Sequence, residues 1–160
     1  MSFTPAPSND NFANATVILA LPYSGAGTDM TTTSREANEP TPSCSSGYLN
    51  KTVWYVYTPS ENGSLSQQTY LQYAWFSTEV AVYTGGSLTT LQEIACRNRS
   101  ASVLSLMTFH VNTGTTYYFQ MATNQDGWLP FNLQVAPPPI PNFGYSPYDA
   151  TIFDTVYFND

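Results

Sequence analysis

Thr52-Val53-Trp54-Tyr55-Val56-Tyr57 is β-branched or aromatic at every position, and Pro59-Ser60-Glu61-Asn62-Gly63 follows almost at once. Side chains of the first kind pack well on a pleated surface, and residues of the second kind supply the dihedrals of a turn. The pair therefore predicts a strand, a turn, and a hairpin partner over residues 65–74. Toward the C-terminus, residues 79–83, 91–96, 103–111, 116–122 and 131–135 read as further short strands, separated by clusters of Gly, Asn, Asp or Ser. Toward the N-terminus, residues 15–21 form a short apolar run stopped by Pro22, and the Thr-rich residues 29–37 read as an edge strand. Glu39-Pro40-Thr41-Pro42-Ser43-Cys44-Ser45-Ser46-Gly47 is loop chemistry. No segment sustains a helical period. Many short strands at this spacing predict an all-β, jelly-roll-like antiparallel sandwich.

Composition fits that reading and excludes several functions. A chain of 160 residues, 42% hydrophobic, suits one core of that size. Only 9% of residues are charged while 15% are aromatic, so hydration rests on Ser, Thr, Asn and Gln or on attached glycans. Lys51, Arg35, Arg97 and Arg99 are the only basic residues against eleven acidic ones, which leaves no cationic surface for nucleic acid. No apolar run approaches the roughly 20 residues needed to span a bilayer. Met1-Ser2-Phe3-Thr4-Pro5 has neither the basic nor the apolar part of a signal peptide, so we expect a mature form or an excised piece.

The two cysteines, Cys44 and Cys96, lack the spacing of a zinc site, and a disulfide is the simpler reading, with two buried thiols as the alternative. Closing a loop of about 50 residues stabilises a fold by roughly 4 kcal/mol on the chain-entropy account, and the bond implies an oxidising, extracellular compartment. Sequons for glycosylation occur at Asn14, Asn50, Asn62 and Asn98, where the Ser and Thr content alone would produce roughly two or three by chance.

Asn9-Asp10-Asn11-Phe12-Ala13-Asn14-Ala15 at the start, Glu36 with Glu39-Pro40, and Thr52-Val53-Trp54-Tyr55 carry a resemblance to a known family. Ala81-Val82-Tyr83-Thr84-Gly85 with Leu88 and Gly114-Thr115-Thr116-Tyr117-Tyr118 complete it. In this order they resemble the bacterial pre-peptidase C-terminal domain over about residues 8 to 135. The resemblance implies a jelly-roll-like accessory module that supports, targets or binds substrate for a neighbouring domain, without catalysis and with calcium in some members. The chain departs from the family at Ser77 and at Arg97-Asn98-Arg99, where acidic residues are usual. Hard cations need several oxygen ligands of net negative charge. The candidates here, Asp29, Glu36, Glu39 and Asp126, are scattered along the chain, and no metal or other cofactor is expected.

An active site is not expected either. The single histidine, His110, lies in a strand pattern with no acid or nucleophile in a recognisable motif beside it. Glu36 and Glu39, if extended, point to opposite faces and cannot flank a glycosidic bond. Tyr23, Tyr48, Trp75 and Trp128 stand beside turn residues, where they either contact polysaccharide or protein or cap the ends of the sandwich. Trp54, mid-strand, reads as core.

The chain divides into an extended segment at 1–8, a sandwich at 9–135, a Pro-rich spacer at 136–142 and a tail at 143–160. The spacer, Ala136-Pro137-Pro138-Pro139-Ile140-Pro141, is stiff and extended. In the tail, Ile152, Val156 and Phe158 fall on one face of a strand and Phe153 and Tyr157 on the other, a pattern that needs cover on both sides. Three readings follow: the tail adds as a donor strand to another copy of the chain and builds a head-to-tail filament, it folds back, or it links to a further domain. The corresponding functions are an extracellular fibre subunit and a non-catalytic accessory module that binds polysaccharide or protein.

Overall fold

The computed structural model describes residues 4–45, 47–69, 78–99, 105–138, 144–146 and 157–159. A short 3-10 helix, Phe12–Asn14, precedes β1 (Thr16–Ile18), β2 (Tyr23–Ser24) and β3 (Thr28–Asp29). The long strands follow: β4 (Lys51–Tyr57), β5 (Gly63–Thr69), β6 (Thr78–Thr84), β7 (Gln92–Arg99), β8 (Ser105–Val111) and β9 (Tyr117–Thr123). Then come β10 (Trp128–Leu129), β11 (Asn132–Val135), β12 (Gly144–Ser146) and β13 (Tyr157–Asn159). Five strands in the order β1-β4-β9-β6-β7 form one sheet and four in the order β2-β11-β5-β8 form the other, with β3 paired to β10 as a small flap. The all-β sandwich expected from the sequence is thus the observed fold.

The core lies between the sheets. Val53 and Tyr55 of β4, Val80 and Val82 of β6, and Tyr117, Phe119 and Met121 of β9 face Leu65, Met107, Phe109 and Leu133 of the opposite sheet. Tyr55 stacks on Phe131 with ring centroids 4.2 Å apart, and Phe119 meets the same ring edge-on at 5.3 Å. The outer face of the five-stranded sheet is covered as well. Trp54, Ala81 and Tyr83 are buried there beneath Phe12, Leu88 and Leu91, with Phe12 set edge-on to Trp54 at 5.1 Å. Burial on both faces explains why β4 is apolar at nearly every position instead of alternating. Trp54 is core, as expected, but it packs outside the sheet pair.

One end of the interior is polar. Gln67, Thr69, Thr78 and Thr123 are all buried, and the amide of Gln67 has no hydrogen-bond partner among the described residues. The sequence reading did not anticipate this, because a Gln-Gln-Thr run ordinarily marks a surface.

Several expectations are corrected. The turn at 59–63 does not close a hairpin: β4 is paired along both edges, by β1 and β9, so β5 has no edge to occupy and crosses to the other sheet. The crossover is anchored on the 112–114 turn, where Gly114 N donates to Pro59 O and Thr113 N to Asn62 Oδ1. The expected edge strand over 29–37 shrinks to Thr28–Asp29. Beyond it, side chains take over the backbone donors: Thr31 N donates to Asp29 Oδ1, and Ser34 N and Oγ both donate to the Asp10 carboxylate. Strand one is limited to Thr16–Ile18 and runs parallel to β4. In the tail, β13 pairs antiparallel with β12 of the same chain, Tyr145 opposite Phe158, in a sheet separate from the other three. Tyr157 and Phe158 fall within β13, whereas Ile152, Phe153 and Val156 lie outside the described residues.

Candidate functional site

The flap formed by β3 and β10 overhangs one flank of the sandwich and, with the N-terminal segment, encloses an open cleft of about 490 Å³. Its apolar lining comes from Trp128, Tyr23, Pro5 and Pro7, with the buried Tyr55 beneath, whose hydroxyl lies 2.9 Å from Thr28 Oγ1. Trp128 is 63% exposed although it sits in a strand, because only one side of the two-residue flap is covered. Directly across the flap from Trp128 stands Asp29. Opposed residues of an antiparallel pair project to the same side, so the indole and the carboxylate share one rim of the cleft.

The loop that carries this rim, Gly25-Ala26-Gly27, brings almost no side chain into the cleft. Gly25 donates its N–H to Phe131 O, and a Cβ at Gly25 would sit 3.2 Å from that same oxygen, so the loop lies close on the β11 side. Gly27 has φ +108°, a left-handed backbone that glycine adopts without strain. The result is an aromatic platform flanked by a carboxylate, hydroxyls and accessible backbone. The Thr31 hydroxyl and amide hold the Asp29 carboxyl below the usual carboxylate range, with Lys51 adding a smaller effect in the same direction. Among the described residues Asp29 is the only formally charged side chain lining the cleft. Lys51 instead pairs with Asp126 at 3.0 Å and donates to Thr31 O.

Two further clefts have no tryptophan among their described lining residues. One of about 630 Å³ runs between Phe12, Val17, Leu88 and Tyr118 on the outer face of the five-stranded sheet. Another of about 460 Å³ lies between Leu19, Leu21 and Val135 on one side and Glu61, Asn62 and Ser64 on the other.

Of the four aromatic residues singled out in the sequence, the fold brings Tyr23 and Trp128 together. Tyr48 is exposed in a separate loop, and Trp75 lies outside the described residues. Tyr55 and the Gly25–Gly27 loop are not among the site residues expected from the sequence, where Asp29 is a metal candidate only. A glycine-rich stretch set between an aromatic and an acid, Tyr23-Ser24-Gly25-Ala26-Gly27-Thr28-Asp29, was the available signal.

The acidic residues do not converge on a metal. Among the described residues no cluster of three or more His, Cys, Asp or Glu side chains could hold an ion. Glu36 and Glu39 are not extended as the sequence reading assumed. They flank a turn in which Asn38 takes φ 71° and Glu36 N donates to Glu39 Oε1. Glu39 is buried, where its carboxylate accepts from Thr52 Oγ1, Trp54 Nε1 and Gln120 Nε2, while Glu36 Oε2 accepts from Phe12 N. Both carboxylates hold the outer layer onto the sheet. His110 is exposed on β8.

Cys44 and Cys96 form the expected disulfide, with Cα atoms 5.8 Å apart. Asn14, Asn50 and Asn62 are exposed. Asn98 differs: it is partly buried, and its Nδ2 donates to Cys44 O and Glu79 Oε1, so attachment of a glycan there would displace at least one of these bonds. No helix among the described residues is long and apolar enough to cross a membrane. Comparison of the chain with known protein families, curated proteins and solved structures returned no match.

Proposed function

We propose that this chain is a non-catalytic accessory module of an exported protein and that it holds polysaccharide in the cleft between Tyr23 and Trp128. One observation carries the reading: Trp128 offers an open indole face on a two-residue strand, beside Tyr23 and opposite a carboxylate. A solvent-facing aromatic of this size is unfavourable to leave uncovered, and pyranose rings present the apolar C–H faces that cover it while their hydroxyls meet Asp29 and Thr28. Support also comes from the disulfide, which belongs to oxidising compartments, and from the resemblance to the pre-peptidase C-terminal domain, whose role is accessory.

The test is co-sedimentation with cellulose, chitin, chitosan and alginate, comparing the unaltered protein with Trp128→Ala. Binding to at least one polymer, weakened about tenfold or more by the substitution with no change in Tm, is the expected result. Equal retention of both proteins, or of neither, overturns it.

The tail favours a second reading. A two-stranded sheet is marginal alone and gains stability from further strands or a packed face. We infer that another copy supplies that cover, so that the chains link head to tail into an extracellular filament. Electron microscopy of the full chain beside one ending at Pro141 decides this: fibres from the full chain alone support it, and dispersed particles from both sink it.

A further inference from the structure

The geometry points to a cleft that ranks glycans by charge, taking amine-bearing glucosamine polymers ahead of neutral glucans and neutral glucans ahead of uronates; this rests on the polysaccharide reading above. Asp29 and Trp128 are a directly opposed cross-strand pair, so a ligand ring lying on the indole comes within reach of the carboxylate. An ammonium group in that place meets both the negative face of the aromatic ring and a full anion. A neutral hydroxyl gains only a hydrogen bond, and a uronate meets like charge.

Nothing in the described lining reverses that order. No lysine, arginine or histidine lines the cleft among the described residues. The nearest candidate, Lys51, has its ammonium engaged by Asp126 and the Thr31 carbonyl. Asp29, Asp126 and Lys51 together therefore leave one net negative charge at the flap, on a chain whose formal charge is already −7. The Asp29 side chain is also held in place, since Thr31 N donates to its Oδ1 at 2.9 Å. Substituting Asn keeps an acceptor for Thr31 while removing the charge.

The test uses β-1,4-linked hexamers of glucosamine, glucose and mannuronate, titrated calorimetrically into the unaltered protein and into Asp29→Asn. At about pH 5.5 the hexamer amines carry charge and Asp29 is ionised. The expected ratio of glucosamine to glucose affinity is roughly two- to fivefold at low salt, the range of an exposed ion pair, with mannuronate weakest. In Asp29→Asn that ratio falls by about half or more, with the share of the indole remaining, and for the unaltered protein it shrinks in about 0.5 M salt. Equal affinities of the unaltered protein for glucosamine and glucose, or an unchanged ratio in Asp29→Asn, overturn the charge ranking while leaving the polysaccharide reading in place. Failure of every hexamer to bind, together with no retention on any polymer, overturns both.

Discussion

The carboxylate of Glu39 receives hydrogen bonds from Thr52, Trp54 and Gln120, side chains of two adjacent strands, and from the backbone of Glu36 in its own turn. Gln120 in turn accepts from the hydroxyl of Tyr83 at 3.1 Å, where burial pushes the phenol well above its ordinary range. A buried acceptor of this kind stabilises through the donors it satisfies, and its removal strands them. Glu39→Ala should therefore lower the unfolding free energy by about 3 kcal/mol, read from the urea midpoint, and a loss under about 0.5 kcal/mol would contradict this account. The sequence did not disclose the role. Trp54 lies 15 residues from Glu39 and Gln120 lies 81 away, so no local pattern links them. The same limit hid the site residues: Asp29 meets Trp128 only across the flap, and Tyr55 reaches the cleft floor only because β4 lies beside it.

Elements were legible where their pattern was dense. β4 could be read from its side chains alone, and β6, β7, β8, β9 and β11 fall near their expected places, because a half-buried or buried strand must carry apolar side chains in short runs. The two-residue strands β2, β3 and β10 carry too few residues for any periodicity. The loop at 41–45 is an element of another kind, held by covalent and polar contacts instead of a sheet ladder. Cys44 is bonded to Cys96 on β7, Cys44 O accepts from Asn98, and Ser43 donates its N–H and hydroxyl to the Glu93 carboxylate. This strap covers the outer face near Glu79. Replacing both cysteines by serine should cost about 4 kcal/mol, measured as the difference in thermal or urea unfolding between the variant and the oxidised protein. A variant as stable as the oxidised protein would mean that the polar contacts of Ser43 and Asn98 suffice to hold the strap.

Among the described residues the molecule has one sandwich and, beyond the Pro-rich segment, a two-stranded sheet hydrogen-bonded to neither of its layers. Since β12 and β13 pair with each other and with neither large sheet, a chain ending at Pro141 should unfold with the same Tm as the full chain, within about 2 °C for a domain of this size. A fall of several degrees would show that the tail completes the sandwich core. By itself the sequence determined the all-β class, the positions of the long strands, the disulfide pairing and the Pro-rich break after Val135. These follow from side-chain patterns within a few residues, from there being one pair of cysteines, and from the fixed backbone of proline. The tertiary structure alone decided which sheet each strand joins, that Glu39 points inward, and that Tyr23, Asp29 and Trp128 share a cleft. The physical reason is that strand partnership depends on which edges remain open once other strands have paired, a competition among segments as far apart as Tyr23 and Leu133 that leaves no trace in any local window.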